Sequence, residues 1–265
     1  MRRCVCLDAL VVLFIAGSLV RAAEPEKLSL QVDGVEREAL VYAPAEKPKS
    51  SGSPLVFVFH GHGGTMKSAA RSMRFYEIWP EAIVVYPQGL NTPTRVDPEG
   101  KRPGWQRSVG DQKDRDLRLF DAILADIEKK HSIDRRRVYA MGFSNGAVFT
   151  DVLWAERPGV LAAVAPIAGL PLEPAQFNPV PKPAFIIAGR KDQLVKFSNQ
   201  QEMIDKVRDV NGATGKGTSA GQGFTRYKSD SGTPVQTLIH PGGHLVPPEA
   251  VRLITEFFQE NKLKK

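Results

Sequence analysis

The chain of 265 residues has only two cysteines, Cys4 and Cys6, and both lie in an N-terminal segment that reads as a secretory signal peptide. In residues 1–22, two arginines precede an apolar run, and small residues suited to cleavage follow it. We expect cleavage at this point, leaving residues 23–265 without cysteine. The protein is therefore expected to be secreted or periplasmic and to rely on its core instead of disulfides. The alternative is an uncleaved membrane anchor, but Asp8 interrupts the apolar run, which is short for a span.

The sequence also lacks a basic stripe. Lysine and arginine number 36 against 29 aspartate and glutamate, a formal net charge of +7, and the two signs are mixed along the chain. Without a basic run interleaved with aromatic residues, we expect no nucleic-acid partner. No internal repeat and no interdomain linker is visible either. Residues 23–265 are therefore expected to form a single domain.

What the sequence does contain is a series of short, strongly apolar segments. Residues 27–44 alternate apolar and polar side chains around Asp33-Gly34, which is typical of an antiparallel hairpin. Later runs are apolar throughout and alternate with amphipathic helical segments. These runs are PLVFVFHG, AIVVYPQG, RRVYAMGF, LAAVAPIAG and PAFIIAGR. The pattern predicts an α/β fold, a mostly parallel sheet with helices on both faces and an N-terminal antiparallel hairpin.

Two segments read as loops. Residues 88–116 contain four glycines and three prolines but few apolar residues. Connections of this length in compact domains are usually functional or disordered. Residues 211–223 are rich in glycine, and we expect a plain surface loop there.

The segment VYAMGFSNGAVFT places Ser144 between Gly142 and Gly146, in the pattern Gly-x-Ser-x-Gly. An apolar strand runs into Ser144 and a helical segment leaves it. This is the setting of a nucleophile elbow, where small neighbours make room for a strained turn. A helix-capping serine is the alternative; it explains the change from strand to helix but not the two glycines. Ser144 is therefore the candidate nucleophile.

A serine nucleophile needs a histidine base, which in turn needs a carboxylate to orient it. In an α/β sheet of this kind the acid and then the histidine follow the serine, each just beyond a later strand. Asp192 and His244 occur in that order and setting. Asp192 could also be a simple turn residue, and His240 is a second histidine, which we interpret as the end of a strand.

The oxyanion formed during acyl transfer needs two preorganised N–H donors. We expect one to be the backbone amide of Asn145, directly after the nucleophile. The other is expected in the glycine loop of VFHGHGG, residues 58–64, as the amide of His62.

The same loop suggests a rival chemistry. His60 and His62 have metal-binding spacing, and His240 with His244 could complete a zinc site. No carboxylate or further histidine follows His62 closely, and the ligand patterns of known zinc classes are missing. We therefore expect no metal and no cofactor.

Seven motifs together resemble the α/β-hydrolase serine esterases that include poly(3-hydroxybutyrate) depolymerases, feruloyl esterases and acetylxylan esterases. They are VFVFHGHGG, VVYPQG, PGWQ, DRDLRLFDAILADI, DRRRVYAMGFSNGA, AGRKDQLV and PGGH, and the similarity spans Pro54 to about Pro248. The resemblance implies a secreted esterase with Ser144 as nucleophile, Asp192 as acid and His244 as base.

The resemblance also suggests that Trp105, in PGWQ, borders the substrate site; the alternative is that it only anchors the long loop. Many relatives have cysteine where this chain has His62, and relatives that act on polymers often have an aromatic residue where it has Leu245. The expected reaction is hydrolysis of a carboxylic ester through an acyl-enzyme. Its expected substrate is an ester on plant polysaccharide or a short hydroxyalkanoate ester. A peptidase, a thioesterase and an inactive hydrolase-like binding protein remain alternatives.

Overall fold

A computed structural model describes residues 24–46, 51–170 and 179–264. The predicted signal peptide, residues 1–22, lies outside the described residues, so its cleavage stays a prediction. Within the described ranges, no helix has both the length and the apolar character needed to cross a membrane.

The described chain forms twelve strands and six helices. The strands are β1 Glu26–Val32, β2 Val35–Tyr42, β3 Ser53–Phe59, β4 Ile83–Pro87, β5 Leu90–Asn91, β6 Pro103–Gly104, β7 Ile133–Phe143, β8 Ala163–Ile167, β9 Ala184–Gly189, β10 Thr218–Gly221, β11 Phe224–Tyr227 and β12 Val235–His240. The helices are α1 Met66–Ser72, α2 Phe75–Ile78, α3 Arg115–Lys130, α4 Asn145–Glu156, α5 Phe197–Val210 and α6 Ala250–Glu260.

Ten of these strands form one sheet in the order β1-β2-β4-β3-β7-β8-β9-β12-β11-β10. The six central strands from β4 to β12 are parallel, and the two strands at each edge are antiparallel. The predicted mixed, mostly parallel sheet and its N-terminal hairpin are therefore confirmed.

Helices cover both faces of the sheet because its central strands are apolar on both sides. In β3, Leu55, Phe57 and Phe59 face one core. Val56 and Val58 face the other. Helices α3, α4 and α5 bury their apolar residues in the first core. Helices α1, α2 and α6 do so in the second.

Two predicted loops differ from expectation. The second half of residues 211–223 forms β10, which pairs with β11 at the edge of the sheet. The prediction of a plain surface loop is therefore wrong for these residues. The reason is that β10 is an exposed edge strand of small and polar residues, which carries no apolar alternation to reveal it. Residues 88–116 also contain structure, the β5–β6 pair and a turn at Asp111–Asp114 in which Gln112, Lys113 and Asp114 have positive φ.

The carboxyl ends of the parallel strands meet at one edge of the sheet, which is where open α/β sheets bind ligands. Ser144 directly follows β7, and His60 directly follows β3. Asp192 follows β9, and His244 follows β12. The fold thus brings Ser144, Asp192 and His244 to the same edge as the HGHGG loop.

Candidate active site

Ser144 links β7 to α4 in a backbone conformation that few residues other than glycine adopt. Its φ is 56° and its ψ is −115°. Such a conformation costs on the order of 1–3 kcal/mol and must be held by its surroundings. The Ser144 amide donates to the Ile167 carbonyl at 2.8 Å, and the Ser144 carbonyl accepts from the Ala147 amide at 3.0 Å. The Ser144 side chain makes no capping hydrogen bond to any described residue, so the helix-capping alternative does not hold.

The two glycines around Ser144 are required by close backbone approach. A Cβ on Gly142 would lie well under 3.0 Å from the Gly146 carbonyl. A Cβ on Gly146 would come equally close to the carbonyls of Phe59 and His60, at the end of β3. Because real Cβ atoms essentially never approach so closely, α4 can leave β7 at this angle only with glycine at both positions.

Asp192 and His244 form a hydrogen-bonded pair, with Nδ1 of the imidazole 2.7 Å from Oδ2 of the carboxylate. The Asp192 side chain is fully buried, and its Oδ1 accepts the amides of Leu194 and Val195, each at 2.9 Å. Asp192 therefore does organise a turn, while its other oxygen faces the histidine. A carboxylate held in this way keeps the proton of His244 on Nδ1 and leaves Nε2 as the basic nitrogen.

The imidazole of His244 lies beside the elbow. Its ring centroid is 4.8 Å from that of Phe143, the residue before Ser144. Gly189, at the end of β9, has no room for a Cβ because the Gly243 carbonyl passes 2.5 Å from that position, so the loop carrying His244 packs directly on β9. Among the described residues there is no hydrogen bond between Ser144 and His244. In free enzymes such catalytic hydrogen bonds are often long and tighten only in the complex.

The HGHGG loop also contacts the elbow. A Cβ on Gly61 would lie 3.4 Å from the Ser144 Cβ. The Gly61 carbonyl accepts two hydrogen bonds, from the Gly64 amide at 2.9 Å and from Nδ1 of His60 at 2.8 Å. A trans peptide points its N–H opposite to its C=O, so these bonds also orient the His62 amide. The amides of His62 and Asn145 find no acceptor among the described residues.

His60 is the residue that fixes this peptide, and the sequence did not predict that role. Its Nε2 accepts the Gly89 amide at 3.0 Å, which assigns the ring proton to Nδ1, where it donates to Gly61. Burial lowers the pKa of His60 to about 4. The ring is therefore neutral near neutral pH, as this pair of hydrogen bonds requires.

Trp105 is fully buried and anchors the loop of residues 88–116, to which it belongs, on the body of the protein. Its Nε1 donates to the His60 carbonyl at 2.8 Å, and its ring stacks on Phe149 with centroids 5.5 Å apart. The Asn145 side chain holds the Trp105 backbone, accepting its amide at 2.7 Å and donating to its carbonyl at 3.1 Å. With no exposed surface, the indole has no face for a ligand. These contacts are those that the anchoring alternative predicts.

The His62 side chain joins the HGHGG loop to the same long loop. Its Nε2 lies 3.0 Å from Oδ2 of Asp97, and the two side chains are 10% and 11% exposed. Its Nδ1 is buried without a hydrogen-bond partner among the described residues and faces Gly104. The Gly63 amide adds a second tie, donating to the Pro103 carbonyl at 2.7 Å.

The histidines considered for a metal each have their own surroundings. His240 ends β12, and its Nδ1 accepts the Gly242 amide at 3.1 Å. Burial lowers the pKa of His240. In the described ranges, no group of three or more histidine, cysteine, aspartate or glutamate side chains is arranged to hold a metal ion.

Gln200 was not predicted, although it contacts the predicted acid. Its Nε2 donates to Oδ2 of Asp192 at 2.9 Å. A signal for it exists in the sequence, because Gln200 occupies the apolar stripe of α5 together with Met203, Ile204 and Val207. A polar residue in such a stripe is expected to have a specific buried partner.

Comparison with known proteins gives the family of the chain and its fold. The sequence profile of the dienelactone hydrolase family matches residues 43–215, more than half of the chain. A probable feruloyl esterase C of Aspergillus flavus is 26% identical over 82% of this chain and 79% of its own length. A bifunctional acetylxylan esterase/xylanase of Neocallimastix patriciarum is 26% identical over 66% of this chain and 24% of its own. A poly(3-hydroxyalkanoate) depolymerase C of Paucimonas lemoignei is 32% identical over 47% and 39%. The chain thus spans less than half the length of the last two.

Among solved structures, an acetyl xylan esterase from Aspergillus awamori superposes with a TM-score of 0.69 at 16% identity. It covers 89% of this chain and 99% of its own. At that identity the likeness speaks for the fold, which is that of the α/β-hydrolases. Together with the match to the family profile, it confirms the resemblance inferred from the sequence motifs. The chain belongs to the dienelactone hydrolase family of α/β-hydrolases.

Proposed function

We propose that the protein is a serine esterase that hydrolyses carboxylic esters through an acyl-enzyme on Ser144. The observation that carries the proposal is the strained Ser144, which lies near both the His244–Asp192 pair and the HGHGG loop. Among the described residues, neither the Ser144 hydroxyl nor the His62 amide has a hydrogen-bond partner. The esterase names of the family relatives support the same reaction class.

In the proposed first step, the Ser144 oxygen attacks the ester carbonyl carbon while Nε2 of His244 takes the hydroxyl proton. The resulting oxyanion accepts hydrogen bonds from the backbone amides of His62 and Asn145. The bond to the alcohol oxygen then breaks, and His244 gives its proton to the leaving alcohol. Asp192 stabilises the imidazolium throughout.

In the second step, a water molecule gives its proton to His244 and attacks the acyl carbon. The bond to the Ser144 oxygen breaks, that oxygen takes the proton back, and the carboxylic acid is released. We give Trp105 no direct contact with the substrate, because its ring is buried. Trp105 instead anchors the loop of residues 88–116 through its hydrogen bonds to the His60 carbonyl and the Asn145 side chain.

For the substrate, we propose an ester carried by plant polysaccharide, with a short hydroxyalkanoate ester as the other possibility. The names of the relatives support these two classes and no single compound. Rates on p-nitrophenyl esters, methyl ferulate, acetylated xylan and hydroxybutyrate oligomers would rank them. The proposal includes export with cleavage after Ala22, which N-terminal sequencing of the exported protein tests.

Labelling with a fluorophosphonate probe tests the mechanism. The native protein should be labelled, and Ser144→Ala should lose both the label and at least about 10³-fold of the ester hydrolysis rate. Ser198→Ala, an exposed serine in α5, is the matched control and should behave as the native protein. A native protein without label, or a label that persists in Ser144→Ala, would refute the proposal.

A further inference from the structure

Gln200 is a polar side chain in an apolar position. It lies on the face of α5 that packs on the sheet, and it is 1% exposed. Burying an amide is unfavourable unless each of its polar atoms finds a partner. Its hydrogen bonds therefore indicate what the side chain does.

All of those hydrogen bonds go to the segment that carries Asp192. Nε2 of Gln200 donates to Oδ2 of Asp192 at 2.9 Å and to the Val195 carbonyl at 2.6 Å, and Oε1 accepts the Gly189 amide at 3.1 Å. The two acceptors and the one donor leave a single orientation for the amide. Gln200 thus connects the two ends of the turn that carries Asp192, from Gly189 at the end of β9 to Val195.

The Asp192 carboxylate has two differently held oxygens. Oδ1 is fixed by two backbone amides, those of Leu194 and Val195. Oδ2 is shared by Gln200 and His244. Among the described residues, removal of Gln200 would leave Oδ2 with His244 as its only partner, and the charge of His244 changes in the proposed reaction.

We propose that Gln200 is a positioning residue that holds the Asp192 carboxylate in the plane from which it orients His244. The inference rests on the proposed function, since it assigns Asp192 and His244 their roles in it. Among the described residues, the Gln200 side chain has no hydrogen bond to His244, so its proposed effect is exerted through Asp192.

Several charged groups surround this site and affect any pH profile. His240 lies close enough to be influenced by Asp192: burial lowers the pKa of His240, while the charges of Glu249 and Asp192 raise it. On the other side, the Arg190 guanidinium stacks over the Phe197 ring at 5.2 Å, at the start of α5. Lys191 and Lys196 are exposed. Rates of each variant are therefore best divided by those of the native enzyme at the same pH, which removes the pH effects that both enzymes share.

Gln200→Met keeps the length of the side chain and removes every hydrogen bond. We expect kcat to fall about 10- to 100-fold, with KM within about threefold of the native value, because only the orientation of the base is lost. The ratio to the native rate should not change with pH. The matched control is Gln201→Met, one residue along α5, where the side chain is partly exposed and donates to Asp205 at 3.0 Å. It should keep the native rate.

Gln200→Glu supplies the sharper test. A protonated glutamic acid can still donate to Oδ2 of Asp192 and accept from Gly189, whereas an ionised one places a second negative charge against Asp192. At about pH 5.5, Gln200→Glu should retain at least about a third of the native rate and exceed Gln200→Met. By about pH 8 its rate relative to native should have dropped about 100-fold. Gln201→Glu should keep the native profile.

The outcomes separate the two proposals. A Gln200→Glu ratio that falls with rising pH supports the positioning role, even where Gln200→Met fails to fold. A constant ratio in a folded Gln200→Glu, or native rates in both Gln200 variants, overturns it. Thermal melting decides which variants are folded. If the native enzyme carries no fluorophosphonate label on Ser144, the proposed function itself has failed, independently of Gln200.

Discussion

Two histidine–aspartate pairs lie beside the elbow of Ser144, and they differ in which ring nitrogen the carboxylate holds. In the His244–Asp192 pair the carboxylate binds Nδ1, and Nε2 makes no hydrogen bond with the described residues. In the His62–Asp97 pair the carboxylate lies against Nε2, while Nδ1 is buried next to Gly104. The first arrangement leaves a nitrogen free for proton transfer, and the second leaves none that a substrate can reach.

The two carboxylates are also held differently. Asp192 is closed off from solvent and receives hydrogen bonds from two backbone amides and Gln200. Asp97 is 11% exposed and receives the amides of Lys101 and Arg102 within its own loop. The comparison indicates that a similar pair of side chains can orient a base on one side of a site and tie two loops together on the other.

Replacing His244 and His62 in turn should give the largest difference in activity between the two pairs. We expect His244→Gln to lower kcat/KM about 10⁴-fold or more, because the base is lost. His62→Gln should cost no more than about tenfold, because the proposed oxyanion donor is the backbone amide, which remains. Steady-state kinetics on one p-nitrophenyl ester measures both. An equal loss in the two variants would mean that His62 takes part in proton transfer, and the distinction between the pairs would be wrong.

The loop that carries His62 is also held by a third histidine, His60, which is buried and neutral near neutral pH. Its pKa is lowered to about 4 by burial, so the folded state binds fewer protons than the unfolded chain between about pH 4 and 6.5. Stability from this group is therefore present above about pH 6.5 and lost as the pH falls to about 4, by about 3 kcal/mol.

His60→Asn removes this titration, so its free energy of unfolding should fall less steeply across that pH range than that of the native protein. Urea unfolding at a series of pH values measures the slope. His131→Asn is the control. His131 directly follows α3, and its side chain has no hydrogen bond to the described residues. An unchanged slope in His60→Asn would show that another group causes the acid sensitivity.

The difference between the two pairs also marks how far the sequence could predict the site. Ser144, Asp192 and His244 follow from chain order, small neighbours and the ends of apolar strands, because the fold brings those ends to one edge. Their catalytic roles stay predictions, while their common location is a property of the fold. Asp97 and Gln200 could not be paired with their histidine and carboxylate partners, because those contacts join segments whose approach depends on loop conformation.

Trp105 illustrates a different limit. Its motif suggested either a substrate contact or an anchor, and the burial of its ring favours the anchor. The sequence placed Asn145 next to the nucleophile and gave importance to its backbone amide, which has no acceptor among the described residues. The Asn145 side chain binds the Trp105 backbone, although the two residues are 40 positions apart in the chain. Such long-range polar contacts carry no periodic signal, unlike the apolar stripes that predicted the helices.

Asp151 extends the comparison to a buried carboxyl that has no histidine at all. It lies in α4 with no exposed surface, and neither oxygen has a hydrogen-bond partner among the described residues. Burial raises its pKa well above the usual value, so the folded state holds a proton that the unfolded chain releases above about pH 4. Stability should therefore fall as the pH rises from about 4 towards the raised pKa.

Asp151→Asn keeps the shape of the side chain but not its titration. Its free energy of unfolding should equal that of the native protein near pH 4 and exceed it near pH 8, with a difference that grows as the pH rises. Denaturant unfolding at the two pH values measures the difference, and Asp205→Asn, an exposed carboxyl in α5, is the control that should show none of it. A native protein as stable as Asp151→Asn at pH 8 would mean that the carboxylate is stabilised in the fold. In that case Asp151 would belong with Asp192 and Asp97, as an acid with a partner.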